Sequence, residues 1–264
     1  MDLKLKGKRV FISGSTSGIG FATAKLFARE GASIILNGRT EASVSNAVDA
    51  VKTEIFGANV SGIVADFAQK TSVDSLLNQL NSIDILINNV GVFASQSFYD
   101  TPDEDWFRML EINVMSGVRL SRALFPEMLR KKWGRVIFIS SECAQLVPPD
   151  LLAYSATKAS LHAVSRGLAQ MAKGTEVTVN TVMPGSTLSE GAERFLEEAA
   201  TKQHTSKEAV TTDFFKNVRT PSLLQRFLTV EEIASTIVYL CSEKAVGING
   251  STVKIDGGST GGVF

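Results

Sequence analysis

The feature that most restricts this chain is its alternation of short apolar runs with longer amphipathic segments. Residues 9–13 (RVFIS), 33–37 (SIILN), 60–65 (VSGIVA), 83–88 (IDILIN) and 135–140 (RVIFIS) read as buried strands, with 177–182 (VTVNTV) and 252–255 (TVKI) as two more. Helical periodicity fills 18–30, 41–56, 72–81, 103–130, 152–173 and 229–242. Strands alternating with helices predict a mostly parallel, seven-stranded sheet with helices on both faces. Right-handed crossovers reduce the topology to a doubly wound α/β sheet, whose ligands bind at the C-terminal ends of the strands. The 264 residues suit a single domain spanning 1–264.

Two helix starts are marked: Thr101-Pro102-Asp103-Glu104 reads as a Thr N-cap with Pro at the first helical position, and Thr229-Val230-Glu231-Glu232 as a capping box. The long stretch at about 186–222 reads as irregular, a length that points to a substrate loop or lid. Lys+Arg and Asp+Glu are both 27, so neither nucleic acid nor a membrane surface is an expected partner. The run Arg130-Lys131-Lys132 reads as cations at a helix C-terminus. Cys143 and Cys241 form neither a disulfide framework nor a metal-ligand spacing, so no metal is expected. Without a leader-like or membrane-length apolar run, a cytoplasmic setting is expected.

After the first strand comes Ser13-Gly14-Ser15-Thr16-Ser17-Gly18-Ile19-Gly20, which leads into a helix. Glycines there let the backbone approach a pyrophosphate, which the amides and the positive end of the helix dipole would hold. The second strand ends in Asn37-Gly38-Arg39-Thr40. An acid at that point would bond an adenine ribose 2′-hydroxyl; here Arg39 is suited to a 2′-phosphate, so NADP(H) is expected in preference to NAD(H), although Glu41 is close by. Tyr154 and Lys158, four apart on a helix, project from one face. A lysine cation beside a phenol lowers the phenol's pKa toward a useful range, and the same cation can reach ribose hydroxyls. The preceding strand ends at Ser140-Ser141, where a hydroxyl can hold a substrate oxygen against the tyrosine.

These residues together resemble the single-domain short-chain dehydrogenase/reductases, a Rossmann-type family, over essentially the whole chain. The family's T-G-x-x-x-G-x-G stands here as Ser13-Gly14 through Gly20, its N-N-A-G as Asn88-Asn89-Val90-Gly91, and its helix asparagine as Asn113. The serine thirteen residues before the tyrosine is Ser141, which selects it over Ser140; Pro184-Gly185 and Asp256-Gly257-Gly258 follow in order. The resemblance implies that Tyr154 is the general acid/base, that Lys158 lowers its pKa and binds ribose, that Ser141 orients the substrate, and that Asn113 anchors a water relay. It implies a cofactor site from Gly14, Ser15, Ser17, Gly18, Ile19, Gly20, Arg39, Asp66, Phe67, Asn89, Val90, Gly91, Tyr154, Lys158, Pro184, Gly185 and Thr187, with Ser189 as a second candidate at the nicotinamide end.

The expected activity is NADP(H)-dependent interconversion of a carbonyl and a secondary alcohol. The same fold and tetrad serve 3-oxoacyl-thioester reductases of fatty-acid synthesis, which a basic patch for a carrier protein would favour and the balanced charge does not. A non-catalytic cofactor sensor or scaffold would have no need of Tyr154 and Lys158 together. Phe195, Phe214, Phe215, Leu223 and Leu224, with Phe93, Trp106 and Leu151, are candidate apolar walls of a substrate pocket. Glu142 and Cys143 are placed at its edge, and His162 is read as a packing or interface residue. The family resemblance implies a homodimer or homotetramer built on the helices near 103–130 and 152–173.

Overall fold

The computed structural model describes residues 1–262; residues 263 and 264, the end of the expected 1–264 domain, lie outside the described residues. The chain runs β1 (Arg9–Ile12), α1 (Gly18–Arg29), β2 (Ser33–Gly38), α2 (Glu41–Glu54), β3 (Asn59–Val64), α3 (Lys70–Gln79), β4 (Ile85–Asn88), α4 (Asp103–Leu110), α5 (Ser116–Lys131) and β5 (Trp133–Ile139). It continues through α6 (Cys143–Leu146), α7 (Leu152–Met171), β6 (Glu176–Pro184), β7 (Thr187–Leu188), α8 (Glu190–Lys202), α9 (Lys207–Asp213), β8 (Leu228–Thr229), α10 (Val230–Leu240) and β9 (Thr252–Ile255). Seven strands form one parallel sheet in the order β3-β2-β1-β4-β5-β6-β9, and β7 pairs with β8 in a separate two-stranded ribbon.

Side-chain alternation along each strand feeds two cores, one on each face. Val10 and Ile12 of β1 pack with Ile34, Leu36, Phe27 and the α10 residues Ile233 and Ile237. Phe11, between them in sequence, faces the other way and joins Ile35, Leu86, Phe138, Leu120, Leu124 and Leu161. Each fully buried Leu, Ile or Phe contributes roughly 1.5–3 kcal/mol relative to exposure, so both faces of the sheet are committed to helices and the polar work is left to the strand ends.

Several local expectations are changed. The capping box at Thr229 and Glu232 forms, but Thr101 does not cap α4. Pro102 occupies the cap position, and the Thr101 hydroxyl donates back to the Ser97 carbonyl at 2.7 Å, drawn there by the short turn Phe98–Asp100. The single helix expected over 103–130 is interrupted by a π-helical turn, Glu111–Met115, around Asn113. The 186–222 stretch is not irregular: it contains β7, α8, α9 and a second π-helical turn, Phe214–Val218. Ser189 and Ser206, each accepting from the amide three residues on, start the two helices. Among the described residues no helix is long and apolar enough to cross a membrane, and no group of three or more His, Cys, Asp or Glu side chains could hold a metal.

Two glycines make the packing testable. A Cβ on Gly185, just after β6, would stand 2.6 Å from the Asp256 Cα, whereas one on Gly167, in the exposed part of α7, meets nothing within 4 Å. Gly185→Ala is expected to destabilise the protein by about 2–3 kcal/mol through backbone displacement, and Gly167→Ala to stabilise it by about 1 kcal/mol through helix propensity; urea denaturation of both variants measures this opposition in sign.

Candidate active site

The strand order reverses between β1 and β4, and the chain's cleft lies at that reversal, at the C-terminal ends of the strands. The glycine turn that forms one wall is braced from three strands. Asn89, after β4, donates its side-chain amide to the carbonyls of Ser13 and Gly14 at 3.1 and 2.7 Å. The Ser13 hydroxyl donates to the Ile87 carbonyl and accepts from the amides of Asn89 and Val90, so serine fulfils the bracing function at the position where the family pattern has threonine. Asn37, at the end of β2, accepts from the Gly14 amide at 2.9 Å. Gly14 and Gly18 both have positive φ, and Gly20 is in close contact with Asn89, where a Cβ would come within 2.5 Å of its amide nitrogen. Ser17 precedes α1 without a side-chain cap, so the first amides of that helix face the cleft wall unserved by their own N-cap side chain.

The opposite wall carries the residues expected to react. A cleft of about 390 Å³ is lined by Ser17, Gly18, Ile19, Asn89, Gly91, Ser141, Tyr154, Lys158, Pro184, Gly185, Thr187 and Ser189 from the expected set, together with Val92, Phe93, Ile139, Ser140, Glu190, Gly191 and Arg194. Tyr154 and Lys158 stand on α7, with the lysine nitrogen 5.7 Å from the tyrosine ring centre and donating at 2.9 Å to the Ile139 carbonyl. Gly91 permits this: a Cβ there would sit 3.0 Å from the lysine nitrogen. Asn113 commits its side chain to the Val92 backbone, accepting from its amide at 2.7 Å and donating to its carbonyl at 2.9 Å, and it also donates to Thr157 at 2.9 Å. Thr157 in turn donates to the Tyr154 carbonyl, so the π-helical turn is tied to α7.

Burial dominates the electrostatics. It pushes the Tyr154 phenol well above its ordinary value, opposed by a hydrogen bond with Ser141. It pulls Lys158 down to about 8. Desolvation acts on both groups, and the lysine ammonium is directed at a main-chain carbonyl.

The remaining expected residues are distributed around the cleft. Ser15 is buried within the turn, its hydroxyl donating to the Ile12 carbonyl and accepting from the Asn37 amide. Gly14, Gly20 and Val90 belong to the turn's interior and do not line the cleft. Arg39 lies exposed after β2, with no hydrogen-bond or ion-pair partner among the described residues. Asp66 caps its own turn by accepting from the Ala68 amide, and the Phe67 side chain is in the core. Thr187 lines the cleft while donating to the Gly185 carbonyl, and Ser189 caps α8. Of the expected apolar walls only Phe93 lines the cleft, edge-on to Tyr154 at 6.0 Å. Phe214 and Phe215 cluster with Phe227, Leu223 and Leu224 lie against Gly258 and Gly257, and Trp106, Leu151 and Phe195 are not part of the lining.

Glu142 and Cys143 are buried rather than at the cleft's edge. One Glu142 oxygen, Oε1, accepts from Arg219 at 2.7 Å and from Ser186 at 2.8 Å, and burial raises the Cys143 thiol. His162 bridges Ser140 and Thr252, each at 2.8 Å, which gives it a packing role between α7 and two strands. The residues missed in the sequence are Glu190 and Arg194, one turn apart on α8; the signal was Ser189 followed by acids in the first turn, an N-terminal pattern inside a stretch read as irregular.

The chain matches a family model described as enoyl-(acyl carrier protein) reductase over residues 14–260. It is 42% identical, over the full length of both proteins, to the uncharacterized oxidoreductase YvaG of Bacillus subtilis (strain 168). It is 31% identical to a D-beta-hydroxybutyrate dehydrogenase of Rhizobium meliloti (strain 1021), covering 96% of this chain and 98% of that protein. Among solved structures, L-sorbose reductase from Gluconobacter frateurii, complexed with NADPH and L-sorbose, superposes with a TM-score of 0.93 at 31% identity, with all of both chains covered. The sheet, the cleft at its reversal and these matches across the chain agree: it belongs to the short-chain dehydrogenase/reductase family of NAD(P)-dependent oxidoreductases.

Proposed function

We propose that the cleft binds NADP(H) and that the protein interconverts a carbonyl and a secondary alcohol, with Tyr154 as the general acid/base. The observation that carries this reading is the meeting of Ser141, Tyr154 and Lys158 in the same cleft as the first residues of α1. The residues fit a dinucleotide: glycines leave the turn open to phosphate, and Arg39 is an exposed cation at the end of β2 without a partner among the described residues. When bound, the cofactor supplies or accepts the hydride. Tyr154 holds the proton that moves to or from the substrate oxygen, and Ser141 donates to that oxygen and fixes its position. Lys158 places a cation beside the phenol. The Asn113 side chain is committed to Val92 and Thr157, so a proton relay through this residue would use its main chain, and the side chain braces the site.

The lining favours a small polar carbonyl compound. The cleft that holds Tyr154 is also lined by Ser140, Ser141, Thr187, Ser189 and Arg194, with Phe93 edge-on to the tyrosine, a surface suited to a hydroxylated ketone rather than a long acyl chain. The NADPH and L-sorbose held by the Gluconobacter frateurii reductase support the same reading. We assign the span from α8 to the second π-helical turn to a lid over the substrate. Exposed Phe107, Leu110 and Met171 support self-association through α4 and α7.

The direct test is NADPH oxidation with a panel of ketoses, hydroxyketones and 3-oxoacyl thioesters. Turnover is expected with the hydroxylated ketones, and a rate confined to the acyl thioesters would instead make the protein a fatty-acid-type reductase. Tyr154→Phe should lower kcat by about 100-fold or more while still binding NADPH; unchanged turnover would remove the tyrosine from the mechanism. Arg39→Ala should weaken NADPH about tenfold, from loss of a charged hydrogen bond, and leave NADH nearly unaffected; equal losses would remove the 2′-phosphate assignment. Lys158 has a lowered pKa in the folded protein, so its charge costs stability fully below about pH 8, and the cost is relieved as pH rises toward the lysine value of 10.5. Lys158→Met is therefore expected to be inactive yet about 1–3 kcal/mol more stable than the wild-type protein at pH 7, the margin shrinking toward pH 10 in urea titrations without cofactor.

A further inference from the structure

The carboxylate of Glu190, in the first turn of α8, accepts a hydrogen bond from the Gly18 amide at 2.9 Å. Gly18 opens α1, a helix of 12 residues whose N-cap, Ser17, makes no side-chain cap. The two residues are 172 apart in sequence and both line the cleft. A carboxylate at the start of a helix gains from the orphan amides and from the helix dipole, the same two terms that hold a phosphate there. One amide hydrogen cannot serve both anions, and a second negative charge beside the pyrophosphate is repulsive.

We propose that Glu190 is an internal competitor for the cofactor's phosphates, and that the dinucleotide binds only by displacing it from Gly18. This rests on the reading of the cleft as an NADP(H) site and adds a determinant of affinity to it. The contact is built to be displaced. Glu190 is exposed, its carboxylate has no ion pair within 4 Å among the described residues, and a Cβ on Gly18 would still lie 3.7 Å from its oxygen. Displacement needs only rotation of the exposed Glu190 side chain, on a helix that also carries Arg194 into the cleft.

The experiment is fluorescence titration of the cofactor-free protein with NADPH, for the wild type, Glu190→Ala, Glu190→Gln and Glu193→Gln. Glu190→Ala should bind NADPH about fivefold more tightly, the factor that corresponds to an anion held at a partly exposed helix start. Glu190→Gln should also tighten binding, by less, because a neutral amide oxygen can still accept from Gly18 but does not repel phosphate. Glu193→Gln removes a charge of the same sign in the same helical turn, outside the cleft lining, and should leave the Kd unchanged. Unchanged or weaker binding by Glu190→Ala would overturn the proposal, as would equal tightening by Glu193→Gln, which would mean a diffuse charge effect. If neither the wild type nor any variant bound NADPH, the reading of the cleft itself would fail, an outcome distinct from wild-type binding that Glu190→Ala leaves unaltered.

Discussion

The structure depends on how the sheet satisfies its own backbone where the strand order reverses. Between β1 and β4 the crossovers depart in opposite directions, so no helix covers the strand ends there. Bare carbonyls and amides at such a place have to be paired or solvated. Asn89, Ser13 and Asn37 pair those of the turn itself: the carbonyls of Ser13 and Gly14, the amides of Gly14, Asn89 and Val90. What remains is the row of amides that begins α1. The glycine turn is thus rigid where it faces the protein, and where it faces the cleft its Gly18 amide is held only by the exposed Glu190 side chain, which is the division of labour a phosphate site needs.

Much of this was legible in the sequence because it follows from periodicity and from strong local preferences. The seven apolar runs became the seven strands of the sheet, with every boundary within two residues. The Thr229 capping box formed because both its partners lie within one turn. The errors came where contacts outside an element's own residues compete with its local pattern. Thr101 looked like a cap, but Ser97 offered its hydroxyl a carbonyl. The helix around Asn113 widens by a π-helical turn because that side chain is bonded to Val92 on another segment, which no local pattern encodes.

The candidate site divides in the same way. Ser141, Tyr154 and Lys158 were readable as an ordered set, and the structure brings them to one cleft. Their electrostatic state was not readable, since the spacing of Tyr154 and Lys158 says nothing of how far each is removed from water. Burial drives both toward their neutral forms. The neutral phenol is at ease there, whereas the lysine cation carries a desolvation cost of the kind active sites commonly hold. Glu190 was hidden for a related reason: it reaches its partner across 172 residues of sequence, from a segment rich enough in Ser, Thr and Glu to resemble a loop.

Glu142 has a mechanical consequence. The 186–219 span is anchored at both ends on the same carboxylate oxygen, through Ser186 where it begins and Arg219 where it ends. The α8–α9 arch thus resists being pulled away, since the Arg219–Glu142 pair is almost wholly buried and leaving either charge alone there would be costly. The pairing of β7 with β8 adds a further hold where the arch begins. Glu142 stands directly after Ser141, so tension at either end of the arch is delivered to the backbone beside that serine.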